Sequence, residues 1–245
     1  MLPAPTAPIP HQPAALVQKL KATTARLDTA IDHWDKTKPV PRDVTLLALY
    51  QQRVLRLLAY DRPLAARVIA RYSVVTDDVV ARQKLIELTP ATPGPALRTG
   101  PAEPPLRLLR EYKAAQRRFG VRWQLLAAVN FVESAFDKLR NNSVAGAQGP
   151  MQFMPATWRA YGLGGNVRDA RDAILGAANY LAANGGAHDE ARALYHYNPS
   201  LLYVDSVRRL ARRIARDRHA FFRYYAWQVF VRTPQGDRQL TGPGR

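Results

Sequence analysis

A single carboxylate stands near the end of an apolar segment that has the pattern of a helix. The segment RWQLLAAVNFVESAF covers residues 122–136 and carries Glu133. Its apolar face is marked at helical spacing by Leu125, Val129, Val132 and Phe136. Burial and the negative end of the helix dipole both raise the pKa of a carboxyl placed there, and a carboxyl that stays protonated near neutral pH can act as a general acid. Glu133 is therefore the candidate catalytic residue, the alternative being a glutamate that is exposed or paired with an arginine.

The loop after this helix has the residue types of a binding loop for an uncharged ligand. No charged residue occurs in 141–158. Within that stretch, the run SVAGAQGPMQ (143–152) has glycines that let a ligand approach the backbone, and Ser and Gln side chains that form hydrogen bonds without charge. Met151, Phe153 and Met154 could line an apolar floor for a sugar ring, or they could fill the core, as these residue types usually do.

Three short motifs together resemble a known family. They are Glu133-Ser134, then Ser143-x-x-Gly146-Ala147-x-Gly149-x-Met151-Gln152, then Tyr197-Asn198. Their order and spacing are similar to those of the lytic transglycosylase SLT domain, over roughly residues 106–217, and GPMQFMPATW is especially similar to the membrane-bound murein transglycosylase branch. Two positions depart from the general pattern. Pro150 stands where a leucine is usual, and YNPS replaces YNAG in a form that resembles a subset reading YN-x-S-x-x-YV.

The resemblance implies a goose-type-lysozyme-like helical fold and a lytic transglycosylase that acts on peptidoglycan glycan strands. Glu133 would protonate the glycosidic oxygen of the MurNAc-GlcNAc β-1,4 bond, and the 6-hydroxyl of the muramic acid would then close a 1,6-anhydro ring. By the same resemblance, Ser143 and Gln152 would bind N-acetyl or hydroxyl groups, and Tyr197 would orient Glu133 or the sugar. The full set of candidate substrate-binding residues is Ser143, Gly149, Met151, Gln152, Phe153, Tyr197 and Asn198.

The distribution of acidic residues favours chemistry with one carboxylate. Ordinary glycosidases use two carboxyl groups, roughly 5 to 9.5 Å apart. No acidic residue occurs in 138–168, and nothing places Asp137, one helical turn after Glu133, across the sugar. A hydroxyl of the substrate can replace the second group, because intramolecular attack avoids most of the entropy cost. A muramidase that uses water, and a non-catalytic glycan-binding or polyanion-binding protein on the same fold, are the alternatives.

The composition argues against several kinds of site. The 245 residues include no cysteine, and the five histidines form no HExxH-type pair, so no metal and no cofactor are expected. The net charge of +17 attracts polyanions, which makes other anionic cell-wall polymers candidate partners besides peptidoglycan. No nucleic-acid-binding motif accompanies the charge, so no nucleic acid is expected. The arginine-rich segment 207–223 is interpreted as a solvated helix face.

Proline-rich breaks divide the chain into five predicted parts. They are a disordered or extended proline-rich start (1–13), a helical N-terminal region (14–88), a proline-rich linker (89–105), a lytic-transglycosylase-like catalytic domain (106–232) and a loose tail (233–245). No strand pair stands out, so the predicted fold class is all-α. The N-terminal helices either form a separate unit, in which case residues 104–232 should fold alone, or pack on the catalytic helices and complete one core.

The expected location follows from the substrate. Peptidoglycan lies outside the cytoplasm, so the cell envelope (periplasm or cell wall) or the extracellular space is expected. The first residues have neither the basic segment nor the continuous apolar core of a signal peptide, and no stretch reaches the roughly 18 apolar residues of a membrane span. An upstream start, a processed chain or another export route would each reconcile these expectations.

Overall fold

Helices make up most of the chain. The computed structural model describes residues 1–89, 91 and 97–244. In these residues the helices are α1 (Pro13–His33), α2 (Arg42–Tyr60), α3 (Arg62–Arg71), α4 (Thr76–Leu88), α5 (Pro105–Phe119), α6 (Trp123–Ser134), α7 (Pro155–Tyr161), α8 (Ala170–Ala183), α9 (Glu190–Tyr197), α10 (Leu201–Arg216) and α11 (Ala220–Ala226). Strands β1 (Phe230–Thr233) and β2 (Gly236–Gln239) pair antiparallel near the end of the chain. The predicted all-α class is confirmed.

Prolines and capping side chains set where several helices begin. Proline occupies the first turn of α1, α5 and α7, where its missing N–H would have no partner inside the helix. The side chains of Asp169, Asp189 and Ser200 each accept a hydrogen bond from a backbone N–H in the first turn of α8, α9 and α10 respectively. Gly120 ends α5 with a φ of +74°, which confirms the predicted C-terminal cap.

The N-terminal helices and the helices of the predicted catalytic domain share one apolar core. α4 packs along α10, where the Ser206 hydroxyl donates to the Ala81 carbonyl at 3.1 Å. Trp34, just after α1, lies edge-on to Phe222 and stacks on Tyr225 of α11, with ring centroids 6.1 Å apart in both pairs. This packing favours the alternative in which the N-terminal helices complete one core with the rest of the chain.

The arginine-rich segment 207–223 is an interface and not the solvated face that the sequence predicts. Five of its arginines form ion pairs with aspartates of the N-terminal helices: Arg209 and Arg212 with Asp77, Arg213 with Asp78, Arg218 with Asp32, and Arg223 with Asp28. The sequence pattern is misleading because the acidic partners lie on helices more than a hundred residues earlier in the chain. Much of the concentrated positive charge is therefore used within the molecule.

The first residues, predicted to be disordered or extended, lie against α2 and include a turn in which Ala7 N–H donates to the Ala4 carbonyl. The Tyr50 hydroxyl donates to the Pro8 carbonyl at 3.1 Å. The Arg53 guanidinium donates to the carbonyls of Pro5 and Ala7, both at 2.9 Å. Proline lacks an N–H but keeps its carbonyl acceptor, so donors from α2 can order such a segment.

The end of the chain forms a hairpin, so the prediction of a loose tail from 233 onward is wrong. Thr233 pairs with Gly236 across the turn, and the register ends at Phe230 opposite Gln239. Asp237 of β2 forms an ion pair with Arg56 and accepts a hydrogen bond from the Tyr60 hydroxyl at 2.7 Å, both from α2. Strands of four residues are too short to show a clear alternation of apolar and polar residues, so the sequence does not indicate them. Tertiary contacts stabilise them instead.

The predicted linker 89–105 is described in part, because residues 90 and 92–96 lie outside the described residues. Its second half is paired with the segment after α6. Gly100 N–H donates to the Lys138 carbonyl, and Arg140 N–H donates to the Arg98 carbonyl, both at 3.0 Å. Over the part of the chain that the structure describes, no helix has the length and apolar character needed to cross a bilayer.

Candidate active site

Two buried polar side chains fasten the predicted binding loop to the helix that carries Glu133. The Asn130 amide donates to the Pro150 carbonyl at 2.8 Å, and its oxygen accepts from the Tyr112 hydroxyl. One turn later, the Ser134 hydroxyl donates to the same carbonyl at 2.7 Å. Buried polar groups are costly unless they are hydrogen-bonded, and these contacts satisfy all three side chains. The loop is therefore held in a fixed position beside the last turn of α6.

A left-handed turn ends α6 directly after the candidate acid. Ala135, Phe136 and Asp137 have φ values of 52°, 64° and 66°, in the region that L-residues rarely adopt. Phe136 is buried among aromatic rings, and its contact with Phe221 has a centroid distance of 5.5 Å. Its burial offsets part of the backbone cost, and the turn leaves Glu133 at the end of the helix, on the wall of a cavity.

The pKa of Glu133 is close to neutral pH, as a general acid requires. Burial raises the pKa of this carboxyl from 4.5 to about 7, and a hydrogen bond from Tyr203 opposes the rise. The Tyr203 hydroxyl donates to Glu133 Oε1 at 2.6 Å. The direction agrees with the prediction from the sequence, and desolvation is the dominant cause. At neutral pH a large fraction of the Glu133 carboxyl is protonated.

Tyr203, and not Tyr197, contacts the candidate acid directly. The Tyr197 hydroxyl donates to the Met151 carbonyl at 2.6 Å, so it holds the binding loop. The rings of Tyr197 and Tyr203 are nearly parallel, with centroids 6.5 Å apart and an interplanar angle of 3°. Of the two tyrosines, Tyr203 is therefore the one placed to orient Glu133, and a contact of Tyr197 with the sugar stays a prediction. The YN-x-S-x-x-YV pattern contained the second tyrosine, but periodicity could not show which one reaches the carboxyl.

The loop 143–153 is folded by hydrogen bonds among its own residues. The Ser143 hydroxyl accepts from the Ala147 N–H, and Gln152 Nε2 donates to the Gly149 carbonyl, each at 2.9 Å. Gln148 and Phe153 exchange backbone hydrogen bonds of 2.9 and 2.8 Å. The side chains predicted to bind N-acetyl or hydroxyl groups are thus engaged inside the loop.

The other predicted binding residues divide into buried and partly exposed ones. Met151 and Phe153 are buried, and Phe153 packs against Trp158 and Tyr197. These two side chains fill the core beneath the loop, which was the alternative to an apolar floor for a sugar. Asn198 is partly buried at the end of α9, where its carbonyl accepts from the Ser200 N–H at 2.7 Å and shapes the bend into α10.

Gly149 is the position in this loop that tolerates no side chain. Its φ is +73°, and a Cβ atom would lie 1.9 Å from the Val167 carbonyl oxygen. We expect Gly149→Ala to lower the free energy of unfolding by about 3 kcal/mol or more, because a backbone clash adds to the strain of a left-handed alanine. Gly146→Ala is the control, since Gly146 also has a positive φ but nothing within 4 Å of an added Cβ. Urea unfolding of both variants should separate them, and equal losses would contradict the close approach.

Glu133 lines a cavity of about 220 Å³ whose walls come from both halves of the chain. α2, α4, the end of α6 and the C-terminal hairpin all contribute to it. Among the described residues, none of the predicted binding residues lines this cavity. Asp137 lies in a separate cavity of about 320 Å³ with Glu103, Arg140 and Gly149. No motif in the N-terminal helices indicates chemistry, yet α2 and α4 form part of the wall beside Glu133.

No cluster of metal-ligating side chains accompanies the carboxyl. In the ranges 1–89, 91 and 97–244, no group of three or more histidine, aspartate or glutamate residues is placed to hold a metal ion. The Glu133 carboxyl itself, with the Tyr203 hydroxyl as its hydrogen-bond donor, can transfer a proton.

Comparison with known proteins matches part of the chain to a known domain. The family model described as the transglycosylase SLT domain matches residues 111–217. That range includes α6, the binding loop, Tyr197 and Tyr203. The matched residues, a little under half of the chain, are similar to that domain. The SLT domain leaves out α1 to α4, α11 and the hairpin, so the elements that complete the Glu133 cavity lie outside it.

A curated relative supports the same family. Membrane-bound lytic murein transglycosylase F from Thiobacillus denitrificans is 34% identical over 112 residues, which are 42% of this chain and 23% of the relative. The chain thus spans about a quarter of the length of that relative. No solved structure matches the chain at a significant level.

Proposed function

We propose that this protein is a lytic transglycosylase that cleaves the MurNAc-GlcNAc β-1,4 bond of peptidoglycan and leaves 1,6-anhydro-MurNAc ends. The observation that carries the proposal is Glu133, one carboxyl with a pKa of about 7 at the position of the family motif. The cell envelope is the proposed location, because the substrate lies there. Other anionic wall polymers are secondary candidate partners, since the chain carries a net charge of +17.

Glu133 takes part in two proton transfers, first as an acid and then as a base. The neutral carboxyl donates its proton to the glycosidic oxygen as the bond from that oxygen to C1 of the muramic acid breaks. The 6-hydroxyl of the same sugar attacks C1, and its proton passes to the Glu133 carboxylate. This step closes the anhydro ring and restores the acid. The Tyr203 hydroxyl, 2.6 Å from Oε1, stabilises the carboxylate between the two steps.

A second carboxylate for ordinary glycosidase chemistry is not available in the Glu133 cavity. Of the described residues that line it, Asp237 is the other acid, and Asp237 is occupied by the ion pair with Arg56 and the hydrogen bond from Tyr60. Asp137 is in a different cavity, with its Oδ2 3.5 Å from Arg140 Nε. An intramolecular nucleophile suits this arrangement better than a water activated by a second carboxylate.

The rate should fall as the pH rises through the pKa of Glu133. Since the pKa is about 7 and the first step needs the protonated carboxyl, we expect kcat to decline about tenfold per pH unit on the alkaline side. A pH profile of the cleavage of short, soluble glycan fragments measures this limb. A rate that is constant from pH 6 to pH 9 would contradict the role of Glu133 as the acid.

Tyr203→Phe should move that alkaline limb to higher pH. The hydrogen bond from Tyr203 lowers the pKa of Glu133, so its loss raises that pKa further. At pH 6 we expect kcat to fall roughly 10- to 100-fold, because the carboxylate formed in the first step loses its donor. Tyr197→Phe is the matched control. Its hydroxyl binds the Met151 carbonyl, so it should leave the limb in place even if stability falls. A limb that does not move in Tyr203→Phe would rule out the positioning role.

Analysis of the released chain ends distinguishes the candidate functions. Purified peptidoglycan is digested, and the soluble fragments are treated with borohydride and examined by mass spectrometry. We expect anhydro ends, which borohydride does not reduce. Reducible ends would indicate a muramidase, and no soluble fragments would indicate a non-catalytic binding protein. Either of these results would overturn the proposed function.

A further inference from the structure

Three arginines from outside the SLT domain line the same cavity as Glu133. Arg56 comes from α2, Arg82 from α4 and Arg232 from β1. The family motif says nothing about these positions, because the matched range is 111–217. Their placement beside the candidate acid raises the question of which ligand group they bind.

Arg82 is the arginine of this cavity with an unsatisfied donor. Its Nε is buried and has no hydrogen-bond partner among the described residues, and none of their acidic side chains forms an ion pair with it. The guanidinium lies over the ring of Trp227, 5.3 Å from the centroid. Burial and the nearby Arg56 lower the pKa of Arg82 to about 9, which still leaves it a cation at neutral pH. A buried cation with a free donor favours an anionic acceptor.

The other two arginines are fixed in place by protein groups. Arg56 forms an ion pair with Asp237 and lies over the Phe230 ring, 4.4 Å from its centroid. Arg232 donates to the carbonyls of Ile86 and Thr89 at 2.8 and 3.1 Å, and these acceptors carry no charge. Three arginines therefore line the cavity with two acids, Asp237, which pairs with Arg56, and Glu133, which is largely neutral below pH 7. The cavity has an excess of positive charge next to the proposed bond-breaking position.

A second cavity adjoins this one. It has a volume of about 550 Å³ and shares Arg56, Tyr60, Phe230, Arg232 and Asp237 with the first. A substituent that enters beside Glu133 can thus extend along the face formed by α2 and the hairpin. This path suits a branch of a polymer better than a small free anion.

We propose that Arg82, flanked by Arg56 and Arg232, is a carboxylate-binding subsite that takes a carboxylate of the glycan strand during the proposed cleavage. This inference rests on the proposed function. Two substrate groups share the chemistry: the free lactyl carboxylate of a muramic acid without a peptide, and a carboxylate of the peptide stem. The N-terminal helices and the hairpin then contribute substrate recognition to a site whose acid lies in the SLT domain.

Binding measurements on a non-cleaving protein test the subsite. In the Glu133→Gln background, calorimetry compares a tetrasaccharide of alternating GlcNAc and MurNAc, which carries lactyl carboxylates, with chitotetraose, which has none. We expect the first to bind at least tenfold more tightly. Adding Arg82→Met should reduce the preference to about twofold or less and leave the chitotetraose affinity within about twofold. Arg67→Met, which removes the same charge from an exposed position on α3, should change neither affinity.

The possible outcomes distinguish a loss of the subsite from a general structural defect and from a failure of the proposed function. Arg82→Lys keeps a cation and should keep a weaker carboxylate preference. No preference in the starting protein, or equal weakening of both ligands in Arg82→Met and in Arg82→Lys, would overturn the subsite. The same tetrasaccharide with peptide stems identifies which carboxylate binds, because its lactyl groups are amides and carry no charge. If this ligand still binds more tightly than chitotetraose, and if the difference still depends on Arg82, the subsite binds the stem carboxylate. The anhydro ends made by the wild-type protein test the function independently of these affinities.

Discussion

Glu133→Gln is expected to lower kcat by about 10²- to 10⁴-fold, the usual contribution of a positioned general acid. Glutamine keeps the shape of the side chain and can still accept the hydrogen bond from Tyr203, but it has no proton to transfer. Asp137→Asn is the matched control, because it neutralises the neighbouring carboxyl in the separate cavity. It should leave kcat within a few-fold of the wild type. Near-full activity in Glu133→Gln, or an equal loss in Asp137→Asn, would contradict chemistry with one carboxylate.

The same substitution should stabilise the fold above neutral pH. The pKa of Glu133 is raised from 4.5 to about 7 in the folded chain, so the stability that the neutral carboxyl provides is fully present below pH 4.5 and is lost as the pH rises through about 7. A glutamine does not ionise and avoids this loss, on the order of 3 kcal/mol by pH 8. We expect a higher Tm for Glu133→Gln at pH 8 and nearly equal Tm values at pH 4.5.

Removal of the N-terminal helices is expected to abolish cooperative folding, the largest effect on stability. A fragment of residues 104–232 loses α4, which packs along α10, and loses Trp34, which covers Phe222 and Tyr225. It also loses Asp78, a buried partner of Arg213 and Tyr224. Breaking one buried pair typically costs about 3 to 5 kcal/mol, and a whole domain has only about 5 to 15 kcal/mol of net stability.

Circular dichroism and thermal melting decide between one core and two units. The full chain is the control for 104–232, and a 1–232 fragment, which loses β2 and the ion pair between Asp237 and Arg56, measures the contribution of the hairpin alone. We expect sharp melting for the full chain and a broad or absent transition for 104–232. A helical 104–232 fragment that melts cooperatively and cleaves glycan strands would restore the division at the linker.

Local pattern and motif were enough to identify the candidate acid. Glu133 stands at the end of a segment whose apolar spacing predicts a buried helix face, and burial is the dominant cause of its raised pKa. Helix positions follow from the same periodicity, and caps such as Gly120 follow from the conformational freedom of glycine. These features depend on residues that are close to one another in the chain, so they can be predicted from the sequence.

Long-range contacts account for what the sequence did not predict. Tyr203 reaches Glu133 across 70 positions, and periodicity reports that Tyr203 is buried without reporting its partner. Arg82 belongs to a helix with no recognisable motif, and its neighbour Trp227 lies at the other end of the chain. The aspartates that pair with segment 207–223 are equally distant in sequence. Side-chain type shows what a residue can bind, whereas the fold decides which group it meets.

Digestion of peptidoglycan in water enriched in ¹⁸O tests the central claim most directly, because it shows which oxygen attacks C1 after Glu133 has delivered its proton. If the muramic acid supplies its own 6-hydroxyl, the new ends are anhydro ends and contain no ¹⁸O. We expect this result for the wild-type protein, and few new ends of either kind for Glu133→Gln. New reducing ends that each carry one ¹⁸O would show that water is the nucleophile and would contradict the account.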